Sequence, residues 1–138
     1  MIDTSVKSAI EEAGRVHSAG EGRIVRIIGA VVDVQFPVQV PGIYNALTVE
    51  ATTPMGHVST ILEVESQLPG GVARCVAMTS TDGLQRGLIA HDTGEPMKMP
   101  VGPQTLGRVW NVLGQPVDGK PMPEVEDYYP IHHPAPHF

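Results

Sequence analysis

The sequence predicts an all-β fold, a small six-stranded closed barrel, and three observations predict it. Between Gly22 and Gly94, short runs of β-branched or alternating residues recur, separated by turn-forming residues. Gly and Pro together make up about a fifth of the 138 residues, which suits many turns joining short elements. Each run offers only two or three apolar side chains to an inner face, and closing the sheet hides strand edges that would otherwise stay unpaired.

The elements follow in order. Residues 1–21 stand apart: Asp3 or Thr4 caps a short helix whose Val6, Ile10, Ala13 and Val16 have helical spacing. Gly14 weakens it, so this extension is a marginal helix or a disordered arm. Arg23–Ile28 is the first strand, and Gly29-Ala30 ends it. Val31–Phe36 alternates, with Val32, Val34 and Phe36 on one face and Asp33 and Gln35 on the other. Pro37 and Pro41 break the chain before Ala46–Ala51, where Leu47 and Val49 point together. Pro54-Met55-Gly56 reads as a hairpin turn. His57–Gln67 is the longest strand, with Leu62 and Val64 inward and Glu63 and Glu65 on a solvated face. Gly70-Gly71 turns into Val72–Met78, which holds Cys75. Thr79–Gly87 is a polar loop, and Leu88–His91 is the last strand, running into an Asp92-Thr93-Gly94 turn.

From Glu95 the text changes. Met97–Val101 and Leu106–Leu113 suit strands or buried turns, but six prolines between Pro116 and Pro136 leave little core. Residues 95–138 are expected to be the start of a second domain.

Composition excludes several classes. The formal charge is −6 and is spread evenly, −2 in each of residues 1–21, 22–94 and 95–138, so no basic patch invites nucleic acid. No apolar run reaches the roughly 20 residues of a membrane-spanning helix. There is no apolar signal region at the N-terminus, and Glu11 and Glu12 are foreign to transit peptides. A single cysteine fits a reducing compartment.

Six features invite chemistry and each fails a physical requirement. Gly114-Gln-Pro-Val-Asp-Gly119-Lys120 fits the first seven positions of a P-loop, but Pro121 stands where a hydroxyl must reach magnesium, and Pro123 forbids the helix that would hold phosphate. His133 and His137 have metal-pair spacing, yet Pro134 and Pro136 forbid the helix that would align them; with His132 they read as a solvated linker. His91-Asp92 has no nucleophile beside it, and Cys75 reads as a packed small hydrophobe. Glu63 and Glu65 lack a cleft. Arg23, Arg26, Arg74 and Arg86 would make a weak nucleic-acid face, because Phe36 and Tyr44 are the only barrel aromatics available for stacking. The expectation is therefore no catalytic, cofactor-binding or metal residue in this chain.

Longer strings carry a resemblance. Gly22-Arg-Ile-Val-Arg-Ile-Ile-Gly-Ala-Val-Val-Asp-Val-Gln-Phe36, Ile43-Tyr-Asn-Ala-Leu47, Leu62-Glu-Val64, Val76-Ala-Met78 and Thr81-Asp-Gly-Leu-Gln-Arg-Gly87 resemble the catalytic beta subunit of the F-type ATP synthase. Pro100-Val-Gly-Pro-Gln-Thr-Leu-Gly-Arg108, Asn111-Val-Leu-Gly-Gln-Pro-Val-Asp118 and Pro130-Ile-His-His-Pro-Ala-Pro136 continue the match, so that it covers about residues 22–138. The extension 1–21 and Trp110 depart from it.

The resemblance implies a barrel over residues 22–94, then an incomplete lead-in, residues 95–138, to a P-loop α/β domain. It implies that barrels of alternating alpha and beta subunits form a ring on the cytoplasmic side of a bacterial membrane, with the gamma subunit inside the intact enzyme. The intact subunit makes ATP from ADP and phosphate using a proton gradient and binds Mg-ATP or ADP. The family's P-loop and catalytic residues have no counterpart in these 138 positions, so this chain alone is expected to be inactive, with no nucleic acid among its partners. The alternative reading is a stand-alone acidic β-barrel interaction module.

Overall fold

The computed structural model describes residues 20–137, so the expected helix or disordered arm over residues 1–21 lies almost wholly outside the described residues. Six antiparallel strands close a barrel: β1 (Glu21–Ile28), β2 (Val31–Gln35), β3 (Asn45–Thr53), β4 (Gly56–Leu68), β5 (Val72–Ala77) and β6 (Ile89–Pro96). Their order around the barrel is β1-β2-β5-β4-β3-β6, and β6 pairs back onto β1 to complete the closure.

Alternation explains the core. Ile24, Val32, Val34, Leu47, Val49, Leu62, Val64, Ala73 and Cys75 point inward and are essentially sealed from solvent. Phe36 and Ala90 join them, and the partly buried Ile27, Val40, Ala77, Leu84 and Leu88 pack against this cluster. These residues fill the barrel interior. Gly22 lies among them because Phe36 folds across it: a Cβ at Gly22 would sit 2.7 Å from Phe36 Cζ and 2.6 Å from Val34 Cγ1.

Because β2 pairs with β5 and not β3, the chain from Phe36 to Tyr44 must cross two strands. Hydrogen bonds mark its path: Phe36 N donates to Gly71 O (2.8 Å), Gln67 Nε2 to Pro41 O (2.8 Å) and Tyr44 N to Val64 O (2.7 Å). Gly71 turns with φ +77° directly beneath the start of this crossover.

Three irregularities interrupt the barrel's register, one of them between β3 and β6. In β1 the register slips between Ile24 and Arg26, which leaves Val25 unpaired against β2. In β4 it slips between Val64 and Ser66, which leaves Glu65 unpaired against β5.

Two expectations need correction. The last barrel strand does not end at His91 in a turn: β6 runs on to Pro96, because Asp92 pairs with Leu47 and Asn45 with Pro96. Thr93 Oγ1 donates to Ala46 O at 2.8 Å and bridges the slip in register there. Glu63 is on the outer face, as alternation requires, yet its side chain is only 5% exposed, because the segment around His132 covers it. Of the two readings of Leu106–Leu113, strands or buried turns, the chain forms turns, with a single bridge, Trp110 to Pro116, and with Leu106, Val109 and Val112 exposed.

Beyond the barrel, β7 (Lys98–Val101) and β8 (Asp127–Pro130) pair as a separate two-stranded ribbon. A 3-10 turn over Pro103–Thr105 follows β7.

Candidate functional site

A closed barrel whose interior is filled has only its outer wall and its ends for function. Two clusters stand there, and a third lies in the segment after the barrel. Across β1, β2 and β5 the register places Arg26 opposite Asp33 and Asp33 opposite Arg74. Arg74 grips Asp33 with two hydrogen bonds, Nε to Oδ1 at 2.8 Å and Nη2 to Oδ2 at 2.9 Å. The Arg74 hydrogen bond holds the Asp33 carboxyl below the usual carboxylate range, against the opposing effect of burial. Ile28 and Val31 stand exposed beside this row and complete a shallow hollow of about 160 Å³. The wall therefore presents two guanidinium groups, one carboxylate and an apolar margin. That is a surface suited to another protein, because it mixes apolar area with paired charge.

The second cluster joins the barrel to the segment after it. His132 Nε2 lies 3.0 Å from a Glu63 carboxylate oxygen, and its ring stacks on Tyr44 with centroids 3.8 Å apart and planes at 17°. Tyr44 is the one non-glycine residue with positive φ among the described residues, at 74°. Glu65 stands nearby on the bulge of β4. Partial desolvation, then hydrogen bonding and repulsion from Glu63, push its carboxyl above the usual range. The expectation of a solvated linker at His132, His133 and His137 is thus corrected for His132, which is held on both its face and its edge. His133 stacks on Tyr129 at 5.7 Å, and His137 is exposed.

The third cluster shapes Arg108–Pro121. Arg108 binds Asp118 through Nε at 2.5 Å and Nη2 at 3.0 Å, and Nη2 also donates to the Pro121 carbonyl at 2.9 Å. This pairing, with the amides of Lys120 and Val109, holds the Asp118 carboxyl well below its ordinary range. The segment that imitates a P-loop is therefore a set of turns built around an ion pair. The guanidinium faces the ring of Trp110, 5.6 Å from its centroid.

The remaining candidates are placed as follows. Cys75 is fully buried in β5, and desolvation pushes its thiol up to about 12. Asp92 accepts from Asn45 Nδ2 at 3.1 Å and from Gly94 N at 2.9 Å, while His91 is exposed beside Glu21. Arg23 donates to Gly87 O at 3.0 Å and Arg86 is exposed, so of the four arginines only Arg26 and Arg74 share a site. Among the described residues no three His, Cys, Asp or Glu side chains are grouped to hold a metal ion, and no helix is long and apolar enough to cross a membrane. Sequence reasoning missed Asp33–Arg74, Glu63–His132 and Arg108–Asp118. Only the first had an accessible signal, since both residues occupy outward positions of neighbouring strands.

One comparison bears on the whole barrel. Residues 24–94 match the model of the ATP synthase alpha/beta family, beta-barrel domain. The matched span runs from within β1 into β6 and includes every strand of the closed sheet. With just over half of its residues inside that match, and a closed six-stranded antiparallel barrel over the same span, the chain belongs to the ATP synthase alpha/beta family.

Proposed function

We propose that this chain is the N-terminal portion of the catalytic beta subunit of an F-type ATP synthase, and that its barrel is a ring element holding alternating alpha and beta subunits together. The family match supports an alpha/beta barrel, and Gly29-Ala-Val-Val-Asp-Val-Gln-Phe36 and Tyr44-Asn-Ala-Leu47 support beta over alpha. On this reading residues 22–94 are the ring domain and residues 95–138 lead into a nucleotide-binding domain. ATP synthesis coupled to a proton gradient, Mg-ATP or ADP binding, and contact with the gamma subunit belong to the intact bacterial enzyme, at the cytoplasmic face of the membrane. None of this chain's residues is assigned a catalytic, cofactor or metal role.

The observation that carries the reading is the closed wall with its charged and apolar row. Closure removes free strand edges, so a neighbour must be met through side chains and not by strand addition. Ile28 and Val31, 57% and 38% exposed, flank the Arg26–Asp33–Arg74 row and supply such a face.

The test is sedimentation of the chain alone and mixed with an isolated alpha-subunit barrel. A heteromeric species that Ile28→Asp weakens at least tenfold supports the reading. Absence of any complex, together with tight binding to an unrelated partner, would favour the stand-alone interaction module. Calorimetry against Mg-ATP gives no saturable heat; a magnesium-dependent micromolar signal would overturn the assignment of nucleotide binding to the rest of the subunit.

A further inference from the structure

We propose that His132 is a latch: it pins the ribbon that follows the barrel to the barrel wall, and the ribbon pivots at Met97 when the latch opens. The inference stands on the barrel's geometry whether the chain is of alpha or beta type.

Few hydrogen bonds connect the two parts, which also meet through the buried Met97 side chain and the Tyr44–His132 stack. Among the described residues β7 and β8 form their own sheet and pair only with each other. Among the described residues, two side-chain hydrogen bonds bridge residues 20–96 and 97–137. One is local, Lys98 to Glu95 across the junction itself; the other is His132 to Glu63. Ile131 N donates to Met97 O at 3.0 Å, so the pivot and the latch lie side by side at the base of the ribbon. A small displacement at His132 becomes a large one at the far end, beyond Val101 and Asp127.

The latch is built to be closed or open with little between. The Glu63 side chain is 5% exposed while the segment is docked. A docked segment with His132 turned away would leave that carboxylate dehydrated with the Glu65 carboxyl as its neighbour, a group that repels it when ionised, which is a costly arrangement. Undocking returns it to water. Intermediate positions are therefore disfavoured, and the ribbon has two states.

Tyr44 sets the position of the catch. Its backbone is held at φ 74° by Tyr44 N to Val64 O and by the Asn45 N to Gly42 O turn, 3.1 Å. A bulky residue occupies this conformation only where its surroundings impose it. The outcome is a ring lying flat against His132 at 3.8 Å. The register partners of Glu63, Ala46 on β3 and Val76 on β5, carry no charge and offer it no other ion partner.

The experiment measures a distance in the full 138-residue chain, with nitroxide labels at Met55→Cys on the exposed β3–β4 turn and Gln104→Cys on the 3-10 turn; buried Cys75 takes up no label. The parent chain gives one narrow distance. His132→Ala and Glu63→Ala add a second, displaced population, with the open fraction rising about tenfold, as expected for losing a hydrogen bond to a charged group. His132→Phe keeps the stack and gives an intermediate population. Glu63→Gln retains an acceptor for Nε2 and stays closer to the parent. Amide exchange across β2 and β5 confirms that the barrel remains folded in each variant. If Glu63→Ala does not fold, the two His132 variants decide, because that side chain is 37% exposed and outside the core. Distributions for His132→Ala and His132→Phe that superimpose on the parent's would overturn the proposal, as would a parent distribution already broad.

Discussion

Replacing Gly22 by Ala sets two ordinary effects against each other, and the structure says which prevails. Gly22 pairs with Ala90 where β1 meets β6. Backbone preference alone favours the substitution, since Gly in a strand is worse than Ala by about 0.5–1 kcal/mol. Packing opposes it. The new methyl carbon would lie 2.6 Å from Val34 Cγ1, 2.7 Å from Phe36 Cζ and 2.8 Å from Phe36 Cε1, all far inside van der Waals contact. Neither neighbour has room to retreat, because Val34 is 0% and Phe36 3% exposed within the filled core. Overpacking of this kind costs about 1–3 kcal/mol. The net effect is destabilisation of up to about 2.5 kcal/mol, with a centre near 1 kcal/mol that corresponds to a fall in Tm of about 4–8 °C for a domain this small.

Thermal unfolding of the parent, Gly22→Ala, Phe36→Leu and the double variant closes the cycle. Phe36→Leu removes two of the three close atoms, so Gly22→Ala costs less in that background, with a coupling of about 0.5–3 kcal/mol. A Gly22→Ala chain as stable as the parent, or strict additivity in the cycle, would refute the claim that Phe36 closes the barrel over a missing side chain.

Three further outcomes follow from the same geometry. Gly71→Ala destabilises more than Gly70→Ala: both glycines have positive φ, but only at Gly71 would a Cβ meet a carbonyl, Phe36 O at 2.9 Å, and chemical denaturation that ranks them equally would count against the crossover as described. The Asp118 carboxyl has a lowered folded pKa, so its pairing with Arg108 contributes stability above the ordinary carboxylate value of about 4 and loses it as pH falls through the folded value. An acid transition in the fluorescence of Trp110 is therefore expected in the parent and absent in Asp118→Asn; identical acid profiles would sink the assignment. Cys75, with its thiol pushed up to about 12, resists alkylation at pH 8 until denaturant is added, and rapid labelling of the native chain would show that β5 opens locally.

Most of the barrel was legible because a strand's period of two is written in single residues. Val32, Val34, Leu62 and Val64 face inward as their alternation requires, and the few apolar residues per strand already called for closure. What alternation cannot supply is the other side of the wall. It places Asp33 and Glu63 outward correctly, but outward is not the same as solvated. Asp33 is covered because Arg74 lies opposite in the β2–β5 register, 41 residues on. Glu63 is covered because His132, 69 residues away, folds back on it. Asp92-Thr93-Gly94 has the composition of a turn, and hydrogen bonds from β3 carry β6 through it. In each case a long-range contact overrides a local preference, and no local pattern encodes which contact that is.

The same reasoning locates function on this chain. Side chains fill the interior and strand pairing uses up the edges, so an added strand is not a natural role for residues 21–96. Only the outer wall and the junction with the ribbon remain, and both carry arrangements costlier than folding alone demands. Burying the Asp33 and Glu63 carboxylates contributes little to stability relative to apolar residues of the same size. It does fix position, because each is hydrogen-bonded to a partner at a definite place: Arg74 on the wall, His132 at the base of the ribbon. Replacing Glu63 by Leu together with His132 by Leu should therefore leave the Tm within a few degrees of the parent while broadening the distance between ribbon and barrel. A large loss of Tm with an unchanged distance would make the pair a stabilising contact and nothing more.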